Sequence, residues 1–189
     1  MPPVRRTAVV LSALLALAVG ATAALSATPA PKPPQQEFRA LKRPAHGYDT
    51  LPKSAADLAA RSTLVRRVAT ALDSGKRAYF IYLVMTKDKQ LCTVLVQQNG
   101  YKADCAPVAL ALEKGRRTTE VYNGLIGGAA ANDVKKVVLT GGSRHLNVPL
   151  SSDNGYIYGC PAPSKCAAWV KQVLGYNAAG KLISKQDVR

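Results

Sequence analysis

Four cysteines and two histidines are the side chains of this chain best suited to chemistry, and their spacing decides which chemistry is open to them. Cys92, Cys105, Cys160 and Cys166 allow three disulfide pairings. Sequence proximity favours Cys92 with Cys105 and Cys160 with Cys166. Neither spacing has the two close pairs or histidine partners of a zinc site. Once oxidised, no thiolate is left for nucleophilic attack. His46 lies among turn formers without a partner at ligand spacing. His145 is the histidine on an expected strand, on its polar side, where a solvated ring is the simpler reading than a base. Glu113 and Glu120 are isolated among basic residues, and the serines lie in no nucleophile-elbow pattern. Gly127-Gly128 lacks the spacing and the lysine of a phosphate-binding loop, so it reads as a turn. No catalytic, cofactor-binding or metal-ligating residue is assigned, and no cofactor is implied.

One segment suggests recognition. Pro161-Ala162-Pro163-Ser164-Lys165, closed by Cys160 and Cys166, would be a stiff loop able to offer Lys165 to a trypsin-like pocket, where preorganisation lowers the entropy cost of binding. The simpler reading is a surface loop that happens to be bridged.

The elements that must position these residues follow an export signal. Arg5 and Arg6 precede an apolar stretch from Ala8 to Leu25, and Ala21-Thr22-Ala23 supplies small residues for a signal peptidase. Residues 1–27 are therefore a cleaved signal peptide, or an uncleaved anchor long enough to span hydrocarbon. Either way the remainder faces outward, at the outer face of the plasma membrane or beyond it. The disulfide pairings fit that oxidising compartment. Residues 28–53 are expected to be a Pro-rich linker: Thr28 to Gln36 is proline-dense, which favours an extended spacer, and Glu37 to Lys53 reads as an irregular stretch that could drape over the domain.

The domain is placed at residues 54–189. Ser54 and Asp57 offer a capping pair for a helix closing at Gly75, with Leu58, Val65, Val68 and Leu72 on one face. Arg61 falls in the middle of that stripe and contradicts it. Tyr79 to Met85 and Leu91 to Val96, joined by the polar Thr86 to Gln90, read as a hairpin buried on both faces. A bridge from Cys92 to Cys105 would staple it and contribute about 3 kcal/mol in the chain-entropy account. Pro107 to Lys114 reads as a short helix and Thr118 to Tyr122 as a strand. Val134 to Thr140 and His145 to Leu150 form a second hairpin, with Pro149 at a strand end or sheet edge. Tyr156 to Tyr158, Ala167 to Tyr176 and Lys181 to Ser184 complete the set. The fold class is α+β, predominantly antiparallel β, a sandwich-like or open barrel sheet with one packed N-terminal helix.

The order of "YFIYLV", "LCTVLV", "NGLIGGAAANDVKKVVL", "LNVPLSSDNGYIY" and "LGYNAAGKLI" resembles a loosely defined class of exported β-rich proteins of high-GC Gram-positive bacteria, over roughly residues 54 to 185. Asn177 stands where that class usually has an acid. The resemblance implies a fold and brings no activity with it.

The charge balance sets the expected partners. Lys and Arg total 26 against 11 acidic residues, a net charge of +15, which favours anionic envelope polymer or phospholipid headgroups. Dibasic pairs at Lys42-Arg43, Arg66-Arg67, Lys76-Arg77, Arg116-Arg117 and Lys135-Lys136 are spread along the chain, so no specific nucleic-acid arm is expected. A non-catalytic cell-envelope module is the leading expectation. A protease inhibitor acting through Lys165 and an envelope hydrolase are the alternatives.

Overall fold

Residues 33–72, 76–113, 117–122, 124–159 and 169–188 are described in a computed structural model, residues 112–113 and 117–122 as backbone. They belong to one unit, Pro31–Arg189. Two short helices, α1 (Pro34–Glu37) and α2 (Arg39–Lys42), lead through a 3-10 turn at Lys53–Ala55 to α3 (Ala56–Arg61). Strands β1 (Ser62–Leu72), β2 (Ala78–Thr86), β3 (Gln90–Gln97) and β4 (Gly100–Pro107) follow, then α4 (Val108–Glu113). The remaining strands are β5 (Arg117–Tyr122), β6 (Leu125–Ala130), β7 (Lys136–Gly141), β8 (Arg144–Val148), β9 (Gly155–Gly159), β10 (Gln172–Tyr176) and β11 (Leu182–Asp187).

The described strands form three antiparallel sheets, ordered β1-β2-β3-β4, β5-β6-β9 and β11-β10-β7-β8. The expected hairpin lies at the centre of the first, with Ile81 opposite Leu95 and Val84 opposite Cys92. Its near-continuous apolar run is explained by cover on both faces. Ile81, Leu83, Leu91 and Leu95 point into the larger core, while Tyr82, Val84, Val94 and Val96 enter a second cluster with Leu58. Burying each such side chain stabilises the fold by about 1.5–3 kcal/mol. The second sheet lies across the inner face of the first, β9 beside β1 and β6 against β2 and β3. Val137, Leu139, Val148 and Val173 bring the third sheet into the same core.

The helix expected from Ser54 to Gly75 is corrected. It lasts only to Arg61, and Ser62 to Leu72 is strand β1, paired with β2 from Ser62↔Thr86 to Leu72↔Ala78. Val65, Val68, Thr63 and Thr70 are β-branched, and a neighbouring strand with free backbone groups outweighs their weak helical periodicity. The conflict at Arg61 disappears, because it ends α3 and is exposed. The expected capping pair is also absent: α3 has no side-chain cap, and Asp57 accepts a hydrogen bond from the Tyr101 hydroxyl instead (2.7 Å).

Two further expectations change. Gly127-Gly128 is no turn but the middle of the buried strand β6. A Cβ at Gly127 would meet Ile81 Cδ1 at 2.5 Å, so the missing side chain is what lets the two sheets close on each other. The linker expected to run to residue 53 ends earlier: from Pro33 the chain is built into the domain, with Phe38 and Leu41 only 1% and 3% exposed in the main core. The second hairpin is found, β7 with β8, and Pro149 directly follows the edge strand β8.

Candidate anion-binding site

The site begins at the outer edge of β1. Between Arg67 and Ala69 the β1–β2 register slips, a β-bulge that turns backbone groups away from the ladder. An open edge of this kind invites pairing with other chains; here three side chains occupy it. Asp49 Oδ1 accepts from the Arg67 N–H (2.7 Å), Arg43 Nη2 donates to the Arg67 carbonyl (3.2 Å), and Ser151 Oγ donates to the Val68 carbonyl (2.5 Å). The Arg43 guanidinium joins the three segments. It donates to Asp49 Oδ2 (2.5 Å) and Oδ1 (2.9 Å), to Asp153 Oδ2 (2.8 Å) and to the Pro44 carbonyl (3.0 Å). All five of its N–H groups are thereby used.

This network sets its own electrostatics. Burial pushes the Asp49 carboxyl up, but hydrogen bonds from Arg43 and from the His46 and Arg67 N–H groups, with the charge of Arg43, outweigh it and hold the pKa at about 2. The hydrogen bond to Asp49 raises the Arg43 guanidinium further above its ordinary value, against the effect of burial. Arg66 and Arg67, read from sequence as part of a spread surface charge, are structural here. Arg66 donates to the Arg43 carbonyl through Nε (3.2 Å) and Nη2 (3.0 Å). Arg67 lies over the rings of Tyr48 (4.3 Å) and Phe80 (5.1 Å).

With Arg67 holding one side of Phe80, the ring also borders a cleft of about 420 Å³ between the 3-10 turn and the free ends of β2 and β3. Its volume is within the range of roughly 300–1,000 Å³ seen for small-ligand sites. Phe80, Tyr82 and Val96 form an apolar wall; Ser54, Gln97 and Gln98 supply hydrogen-bonding groups, and Lys76 and Arg77 supply the charge. Burial raises the pKa of the Tyr82 phenol, partly offset by the neighbouring Arg67. Among the described lining residues the charged groups are all cations. Lys76, two residues before β2, holds a left-handed backbone (φ 59°).

The residues singled out from sequence are dispersed. Cys92 and Cys105 are opposite partners on β3 and β4 and form a disulfide. Cys160, Cys166 and Lys165 lie outside the described residues, as do residues 1–27. His46 is exposed and stacks on Tyr48 (5.0 Å between centroids). His145 is exposed on β8, opposite Thr140. Among the described residues no group of three or more His, Cys, Asp or Glu side chains could hold a metal ion, and no helix is long and apolar enough to cross a membrane. Sequence reasoning missed both the Arg43 network and the cleft. The Lys76-Arg77 pair was visible, but the aromatic wall beside it comes from strand positions two apart, and Pro52 in the lining comes from a segment read as linker. Compared with known proteins, the chain matches no family model, no curated protein and no solved structure.

Proposed function

We propose that the protein is a non-catalytic module of the cell envelope, secreted or held at the outer face of the plasma membrane, that binds phosphate-bearing anionic polymer or phospholipid headgroups through a cationic surface. One observation carries the reading. Lysines and arginines are exposed on every part of the described surface, from Arg39, Lys42 and Lys53 through Lys87, Lys89, Lys135 and Lys136 to Lys171, Lys181 and Lys185, whereas the exposed described carboxylates are Asp57, Asp88, Asp104 and Asp187. Asp49, a further acid, is buried against Arg43 and leaves that outward field undiminished. The Cys92–Cys105 disulfide is in keeping with an oxidising compartment.

Binding of this kind is long-range attraction, so salt screens it. Raising ionic strength from about 0.1 M to about 1 M shortens the Debye length from about 10 Å to about 3 Å. Co-sedimentation with phosphatidylglycerol vesicles and with wall fragments should be lost over that range, and neutral phosphatidylcholine vesicles should retain nothing at either salt. Retention on the acidic supports that does not change with salt would overturn the proposal. Salt-sensitive retention on one acidic support, with no retention on the other, would identify which source of phosphate the surface prefers.

A further inference from the structure

The cleft bordered by Phe80 combines three chemistries that a diffuse cationic surface does not need. Lys76 and Arg77 provide positive charge at its rim. The side-chain amides of Gln97 and Gln98 can both donate and accept, so they suit hydroxyl groups better than a bare anion. Phe80, half-buried on β2, offers ring surface to the cleft, with the buried Tyr82 ring tilted against it (6.4 Å between centroids). A simple anion would use only the cations, and a hydrocarbon chain only the rings. A sugar ring carrying an acid group uses all three: its C–H face lies on an aromatic side chain, its hydroxyls meet amides, and its charge meets Lys76 and Arg77.

We infer that this cleft is a subsite for one acidic saccharide unit, a sugar bearing a carboxylate or phosphate, either free or at the end of an envelope polymer. The inference rests on the reading of the domain as an anion-binding module and names the chemistry that one place on it selects. The walls are held in advance. Arg67 is fixed between Tyr48 and Phe80, and its backbone is held by Arg43 and Asp49, so the wall is ordered before a ligand arrives and less ordering is needed on binding.

The test is a titration of the isotope-labelled, disulfide-intact protein with D-glucuronate and with glucose 6-phosphate, followed by amide shifts, with glucose and inorganic phosphate as controls. The acidic sugars should give saturating shifts at Ala78, Phe80, Gln97 and Gln98, with a Kd of about 1 mM, corresponding to roughly −4 kcal/mol. Glucose and phosphate should each bind at least about tenfold more weakly. Lys76→Ala combined with Arg77→Ala should weaken the acidic sugars about tenfold, and Gln98→Ala, an exposed position that leaves the Arg67 stack intact, should weaken them several-fold. Shifts scattered over the surface lysines, equal binding of inorganic phosphate, or saturation unchanged by both variants would each overturn the inference. Any of these, alongside salt-sensitive vesicle binding that persists in the variants, would leave the broader envelope-binding proposal standing. Loss of both would remove the two together.

Discussion

Asp49 shows how much one side chain can be asked to hold. Its side chain is 1% exposed, and it receives Arg43 in two hydrogen bonds and the N–H groups of His46 and Arg67. Asp49→Asn keeps the shape but removes the charge that balances a largely buried guanidinium. Removing one partner of a buried pair costs about 3–5 kcal/mol; with Asp153 still in place on Nε, about 2–3 kcal/mol is expected, read as a lower urea midpoint at pH 7. The pH dependence has a definite sign. The folded carboxyl is depressed to about 2 from 3.8, so its contribution, on the order of 2 kcal/mol, is complete above pH 3.8 and is lost as pH falls through about 2. Wild type should therefore lose stability across that window, and Asp49→Asn should lose correspondingly less. Equal acid sensitivity in the two proteins would contradict the assignment.

At the level of elements, two glycines decide how closely the strands approach. Gly155 opens β9 where it crosses the β1 bulge, and a Cβ there would run into the Val68 carbonyl and the Ala69 nitrogen. Backbone cannot step aside as a side chain can. Gly155→Ala should destabilise the domain more than Gly127→Ala, whose added methyl meets the movable end of Ile81. Overpacking of this sort typically costs about 1–3 kcal/mol, and thermal unfolding of the two variants gives the ranking; the reverse order would mean that β9 and β1 have room to separate. These contacts also explain which parts of the fold were legible in the sequence. The β2–β3 hairpin was readable because its apolar run and polar connection are local. β1 was not, because residues 58–72 fit a helical spacing as well as an alternating one, and the choice is made by pairing with β2, which comes later in the chain. Gly127-Gly128 was misread because glycine marks both turns and close packing, and only the facing strand distinguishes them. The cleft and the Arg43 network were illegible for the same reason: Arg43, Asp49, Arg67 and Asp153 are brought together by a segment whose prolines and glycine suggested a linker.

For the whole molecule, the Cys92–Cys105 bridge tests whether an oxidising environment is needed for stability. Cys92 is fully buried in the second core cluster, while Cys105 is exposed on the edge strand β4. The β3–β4 ladder pairs these residues across a tight turn at Gln98-Asn99, so in the folded chain the bond joins positions that are already adjacent. Its main effect must then fall on the unfolded chain, where it closes a loop across a sequence separation of 13 residues. That corresponds to about 3 kcal/mol in the chain-entropy account. Reduction by dithiothreitol should lower the unfolding free energy by about that amount, read from urea unfolding, while leaving the native β-sheet spectrum in place. It should also steepen the dependence on urea, because the freed unfolded chain exposes more surface. The double variant Cys92→Ala, Cys105→Ala should fall further, because it also leaves a void beside Val84 and Val94 that reduction alone does not create. If reduced wild type and oxidised wild type unfold at the same midpoint, the bridge contributes nothing measurable and the packing of β2 and β3 on both faces is sufficient by itself.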